Sequence, residues 1–131
     1  MPLTQDRQTP MQDAQVLVVT VSAGVRIFAG SLVVANASGL AEPGKTATGL
    51  TYLGRAEEYV DNRDGADGAA IVPIRRGKAF KWRNDNSVTQ AHLLKTAYIV
   101  DDETVAATDG TGTRSAAGRI VGIDSDGVWV E

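Results

Sequence analysis

Short runs of valine, isoleucine, threonine and alanine, broken by polar or Asp-Gly turns about every ten residues, constrain this chain more than any other feature. Its 131 residues include 14 glycines, spread as punctuation between those runs. β-Branched side chains suit the pleated, half-buried surface of a strand, and Gly and Asp tolerate the positive φ that tight reversals demand. The chain is therefore expected to be all-β, either a jelly-roll-like sandwich or a small barrel. Candidate strands span residues 15–21, 26–35, 49–60, 69–74, 78–82, 97–100, 104–107, 118–123 and 128–130. Ile123-Asp124-Ser125-Asp126-Gly127-Val128 reads as a hairpin.

One short helix is expected over residues 87–95, with Ser87 as its N-cap and Gln90 completing a capping box. Val88, Ala91 and Leu94 recur there at helical spacing, which suits an element that covers one end of the barrel or sandwich. Residues 1–13 contain two prolines, three glutamines and few large apolar groups, and no periodicity that would bury a face. They are expected to form an extended N-terminal arm, either a frayed terminus or a segment that orders on a partner. Residues 14–131 are expected to form a single β domain, since a chain of this length usually builds one core.

Composition removes several classes of function. Thirteen basic against 16 acidic residues give a net charge of -3, and no basic run exceeds Arg75-Arg76, which argues against nucleic acid as a principal partner. The absence of cysteine removes disulfides, thiolate metal ligands and thiol nucleophiles. The first residues lack the basic start and apolar run of a secretion signal, and no later stretch approaches a membrane span, so synthesis in the cytosol and no membrane partner are expected. Asn36-Ala37-Ser38 matches a glycosylation acceptor but reads as part of a turn.

Gly39-Leu40-Ala41-Glu42-Pro43-Gly44-Lys45-Thr46 fits the phosphate-loop pattern G-x-x-x-x-G-K-[ST] letter for letter. Such a loop works because a strand delivers a glycine turn to the start of a helix, whose free N–H groups hold the phosphates. Here Ala47-Thr48-Gly49-Leu50-Thr51-Tyr52 follows, a composition that disfavours helix and suits a strand. Ala97-Tyr98-Ile99-Val100-Asp101-Asp102-Glu103 resembles the acidic strand end that would hold Mg2+ in such enzymes, yet the helices of a covered parallel sheet are missing. A glycine and proline turn between two strands is the preferred reading, and a phosphate-loop-like nucleotide-binding protein is the weakest alternative.

The polar loop at residues 61–68 invites a Ca2+ site, but Arg63 and Val72 occupy two of the ligand positions that a calcium loop requires. Neither a metal nor a cofactor is expected. His92 is the only histidine and has no serine in a nucleophile-elbow context, so no catalytic residues are assigned and the chain is expected not to be an enzyme. Glu57-Glu58 and Asp101-Asp102 are neighbours whose side chains would face opposite ways on a strand. What remains is surface. Arg75 and Arg76, then Lys78, Lys81 and Arg83 set among Ala79, Phe80 and Trp82, place cations along one face of a strand, which suits an acidic partner or, equally, a charged edge that resists aggregation. A carbohydrate-binding β module is a second alternative, though it would favour clustered exposed aromatics, and the two Trp, three Tyr and two Phe here are scattered.

The stretches Leu53-Gly54-Arg55-Ala56-Glu57-Glu58, Val60-Asp61-Asn62, Asp67-Gly68-Ala69, Pro73-Ile74-Arg75-Arg76-Gly77, Ala97 through Ala106, Gly112-Thr113-Arg114-Ser115-Ala116-Ala117-Gly118 and Gly127-Val128-Trp129-Val130 resemble the small capsid decoration, or cement, proteins of tailed phages and prophages. The resemblance runs from about Gly24 onward. It implies a non-enzymatic β protein of the virion, jelly-roll-like in at least one such protein, that sits on the outer capsid surface, binds the major capsid protein and ties its subunits together. It would pass through the host cytoplasm during assembly and act as a homo-oligomer, a dimer or a trimer. Ligands that favour the assembled shell shift the equilibrium toward assembly, so binding energy alone suffices. The residues expected to contact the capsid are Pro2, Leu3, Thr4, Asp6 and Arg7 of the arm, which is suited to adding a strand to an open sheet edge, together with Arg75, Arg76, Lys78, Lys81 and Arg83.

Overall fold

A computed structural model describes residues 2–131; Met1, the first residue of the expected arm, lies outside them. The chain is all-β, as its sequence predicts. Twelve strands follow one another: β1 (Val16–Thr20), β2 (Arg26–Ile27), β3 (Leu32–Ala35), β4 (Ala41–Pro43), β5 (Thr51–Ala56), β6 (Val60–Asp61), β7 (Ile71–Arg75), β8 (Phe80–Asn84), β9 (Thr96–Ile99), β10 (Thr104–Ala106), β11 (Ala116–Asp124) and β12 (Gly127–Val130). The first half forms a five-stranded sheet in the order β1-β7-β5-β3-β4 beside a two-stranded β2-β6 ribbon, and the second half closes into a barrel in the order β10-β8-β12-β11-β9. The pairings between these strands are antiparallel except β8 with β10, and an isolated parallel bridge joins Val21, just past β1, to Ala41 of β4. The expected hairpin is present, pairing Ile123 with Val128 and Asp124 with Gly127.

Two cores meet at β3. Leu32 and Val34 join Phe80, Trp82, Ala97, Ile99, Val105, Ile120, Val128 and Val130 in the barrel core. Val33, on the opposite face, joins Val21, Ile27, Ala41, Ala56, Val72 and Ile74 under the β2-β6 ribbon. A strand covered on both faces needs a continuous apolar run, which is what Leu32-Val33-Val34 supplies. The seam between the halves is polar as well as apolar: Trp82 Nε1 donates to the Tyr52 hydroxyl at 3.2 Å, and the Arg55 guanidinium lies 4.8 Å from the centre of the Phe80 ring. Ser115 Oγ donates to the Ala47 carbonyl at 2.7 Å and accepts from the Leu50 N–H at 3.0 Å.

Four expectations at the level of elements are corrected. The helix over residues 87–95 is a single 3-10 turn, Gln90–His92, capped by Thr89 and His92 and not by Ser87 and Gln90. Ser87 Oγ instead donates to Asp85 Oδ1 and accepts from the Ala107 N–H, and Leu94 adopts a φ of 66°, which no helix contains. Val88 is buried, but Ala91 and Leu94 are exposed. The expected strand 26–35 is broken at Gly30, where φ is 82°, and the expected strand 49–60 is interrupted at residues 57–59. Strand β4 lies where only a turn was expected.

Candidate interaction surfaces

Every residue from Pro2 to Asp13 is exposed and lies outside helix and strand, with a bend at Thr4 and Gln5. Leu3 is 71% exposed and Met11 98%, and the side-chain hydrogen bonds of the segment are local, from Arg7 to Thr9 Oγ1 at 2.7 Å and from the Gln15 N–H to Asp13 Oδ1 at 3.3 Å. Pro2, Leu3, Thr4, Asp6 and Arg7 therefore present their side chains to solvent, far along the chain from the basic group.

That basic group is divided by its ion pairs. Arg75 on β7 contacts Glu57 at 3.3 Å, Lys81 on β8 contacts Asp126 at 3.0 Å, and Arg83 contacts Glu103 at 3.3 Å. Phe80 and Trp82 point inward while Lys81 and Arg83 point outward, as alternation requires. Lys78 shares the parity of Phe80, but it lies in the β7-β8 connection, outside the strand. Among the described residues, Arg76 and Lys78, both exposed, form no ion pair. Arg55, Arg75, Lys78, Ala79, Phe80, Lys81 and Trp129 line a shallow groove along the seam. The indole of Trp129 is fixed there, its Nε1 donating to Asp124 Oδ2 at 2.8 Å while Lys81 Nζ lies 5.6 Å from the ring centre.

The first strand exposes a different chemistry. β1 is a sheet edge with β7 as its strand partner, and Val16, Val18 and Thr20 stand opposite Arg75, Pro73 and Ile71. Val18 is 62% exposed, Ile71 57% and Val16 38%. Phe28 and Tyr59 bring a second apolar group to the surface, their ring centres 5.6 Å apart where the chain leaves β2 and enters β6, so two of the aromatics that look scattered in sequence are in fact paired.

The remaining motifs are structural. Gly44 is followed by no helix; Lys45 Nζ contacts Glu42 at 2.8 Å, and Thr46 Oγ1 donates to the Val100 carbonyl at 2.8 Å, so the phosphate-loop string ties β4 to the end of β9. In the 61–68 loop, Asp61 receives Arg63 through Nε at 2.9 Å and Nη2 at 2.8 Å, which holds its carboxyl down at about 2. Asn62, buried, donates to the carbonyls of Ser22 and Ala66, and Asp67 accepts from the Ala23 N–H at 2.7 Å. Asn62 and Asp67 are thus spent on backbone and Asp61 on Arg63, and among the described residues no three His, Cys, Asp or Glu converge. Asn36 Oδ1 accepts from the N–H groups of Ser38 and Leu40, so the acceptor-like triplet forms the turn that its sequence suggests. His92 closes the 3-10 turn through Nδ1, which accepts from the Thr89 N–H at 3.0 Å. Asp102, in the turn between β9 and β10, is pushed above the usual carboxylate range by burial and by its neighbours Asp101 and Glu103.

Comparison with protein-family models, with curated proteins and with solved structures finds no match for this chain. Sequence reasoning missed the exposed edge at β1, although Val16-Leu17-Val18-Val19 carried the signal: an unbroken apolar run normally fills a strand covered on both faces, and here alternate residues are exposed.

Proposed function

We propose that this chain is a non-enzymatic decoration protein that stabilises a viral capsid by bridging subunits of the major capsid protein. The observation that carries the reading is the arm: residues 2–13 are exposed throughout and lead directly into an edge strand. A segment of that kind gains its contacts from another molecule, and an extended peptide does so most readily by completing a partner's sheet. The all-β body supplies a rigid base, and the resemblance of its turns and strands to cement proteins supplies the partner.

Co-sedimentation with shells of its own virus that lack this protein tests the proposal. Saturable pelleting at a fixed ratio to the major capsid protein is expected, and pelleting no greater than in a blank without shells would refute it. Deleting residues 2–13 should weaken shell binding while the body melts at an unchanged temperature. Of the basic group, only Arg76 and Lys78 are free to meet acidic capsid surface, so Arg76→Glu with Lys78→Glu should weaken attachment and flatten its salt dependence, whereas Arg83→Glu should do less.

A further inference from the structure

We infer that the open edge of β1 is the interface of a two-fold dimer of this chain, formed by antiparallel pairing of β1 with β1 of a second copy. The hydrogen bonds identify which groups are free. The Val21 N–H donates to the Ala70 carbonyl and the Arg76 N–H to the Gln15 carbonyl, so the odd-numbered residues of β1 face β7. Alternation then turns the N–H and C=O groups of Val16, Val18 and Thr20 away from the sheet. The next residue of that series, Ser22, does find a partner, the Ala41 carbonyl of β4 at 3.0 Å. The parallel bridge between Val21 and Ala41 also engages the Thr20 carbonyl, so the edge is closed at that end and open from the Thr20 N–H back to Val16.

Natural edges are usually protected by lysine, proline, a bulge or a covering segment. Val16–Thr20 has none of these: it carries no charge or proline, and its register against β7 is unbroken. The sequence fits a second copy of itself. Centred on Val18, antiparallel pairing sets Val18 against Val18 of the other copy and Val16 against Thr20, so the Val18 N–H of each copy meets the Val18 carbonyl of the other and the Thr20 N–H meets the Val16 carbonyl. It also joins the exposed Val16, Val18 and Ile71 of both copies into one apolar face. The nearest charges on that face, Arg55 and Arg75, share the carboxylate of Glu57, and Arg75 stands opposite Val16, at the end of β1 and away from the axis at Val18.

The chain's own arm is a poorer occupant, because Pro10 has no N–H and Asp6 and Arg7 would lie against an apolar edge. Pairing also stops at two copies. The opposite edge, β4, contains Pro43 and is tied through Ala41 to Ser22, so the contact is isologous and closes without propagating.

Analytical ultracentrifugation of the full chain, without shells, tests this separately from the decoration reading. From about 1 μM to about 1 mM, the range expected for a small interface, the mass should rise from 13.8 kDa to twice that value. Val18→Pro removes an N–H that makes no bond within the chain, so it should weaken dimerisation by more than about tenfold at unchanged circular dichroism. Val18→Lys, which keeps the backbone donor but places a charge on each side of the axis, provides a second variant should the proline disturb folding. Amide exchange at Val18 and Thr20 should slow as concentration rises. A monomer at 1 mM, a trimer, a dimer indifferent to both variants, or a dimer lost on deleting residues 2–13, which would make the arm the occupant, would each overturn the inference.

Discussion

The barrel and the open sheet solve the same problem to different extents. In the barrel every strand has two neighbours, its inward positions hold the large apolar side chains, and its outward positions carry ion pairs such as Lys81 with Asp126 and Arg119 with Glu131. In the sheet, β3, β5 and β7 are equally well flanked, but β1 has one neighbour and presents valines where the barrel presents charges. Apolar residues on an uncovered strand bring little stability to the isolated chain, and the dimer inferred above is what would give them a use. On that inference, the difference separates residues that hold the fold from residues that would hold a second copy.

The largest expected effect tests whether the looseness of the sheet is confined to its edge. Gly54 sits in the middle of β5 at a φ of 141°, next to the point where the β3-β5 register shifts, and a Cβ there would strike the Arg75 carbonyl. Gly54→Ala should cost more than about 3 kcal/mol, because both backbone strain and collision must be relieved by moving β7. A loss below about 1 kcal/mol by urea denaturation would mean that the sheet yields throughout, and the contrast with the barrel would be one of overall rigidity.

A matched pair of substitutions sharpens the contrast directly. Ile99 in the barrel is fully buried and Ile71 beside β1 is 57% exposed. Removing the same atoms at Ile99→Ala should cost about 2–5 kcal/mol, the range for a core cavity, and at Ile71→Ala less than about 0.5 kcal/mol in dilute, monomeric protein. If the dimer forms, Ile71→Ala should become more costly as concentration increases, since its partner atoms then come from the other copy.

These two isoleucines also mark what sequence makes legible. Strand content, the Asp126-Gly127 hairpin and the inward set Phe80 and Trp82 followed from composition and alternation, which are local rules. Alternation cannot reveal which strands lack a neighbour, so residues 15–21 read as a strand and its edge position went unseen. The ion pairs inside the basic group lie beyond local rules as well: Glu57 is 18 residues from Arg75 and Glu103 is 20 from Arg83, and only the folded sheet brings them within reach. At residues 87–95 helical spacing was present, but the Ser87 hydroxyl had a better use in joining Asp85 to Ala107, and a short helix with one buried position has little to hold it together.

The smallest effect concerns two carboxylates with opposite fates, one in each half. Asp61 on β6 titrates at about 2 because Arg63 hydrogen-bonds it, whereas Asp102 in the barrel turn is raised by burial and by Asp101 and Glu103. Asp61 holds fewer protons folded than unfolded, so its contribution is complete above the ordinary carboxylate range near 3.8 and declines as pH falls toward 2. Asp102 holds more protons folded than unfolded, so it lowers stability at neutral pH and that penalty disappears on acidification. Arg63→Ala should therefore lower the urea midpoint slightly at pH 7 and hardly at all at pH 2, and should return the Asp61 carboxyl toward 3.8 by NMR titration. Asp102→Asn should raise the midpoint slightly at pH 7, with the gain fading in acid. Both effects are modest because both groups are at least partly solvated. Equal and same-signed responses would show that the protein's net charge, and not these local environments, governs its acid stability.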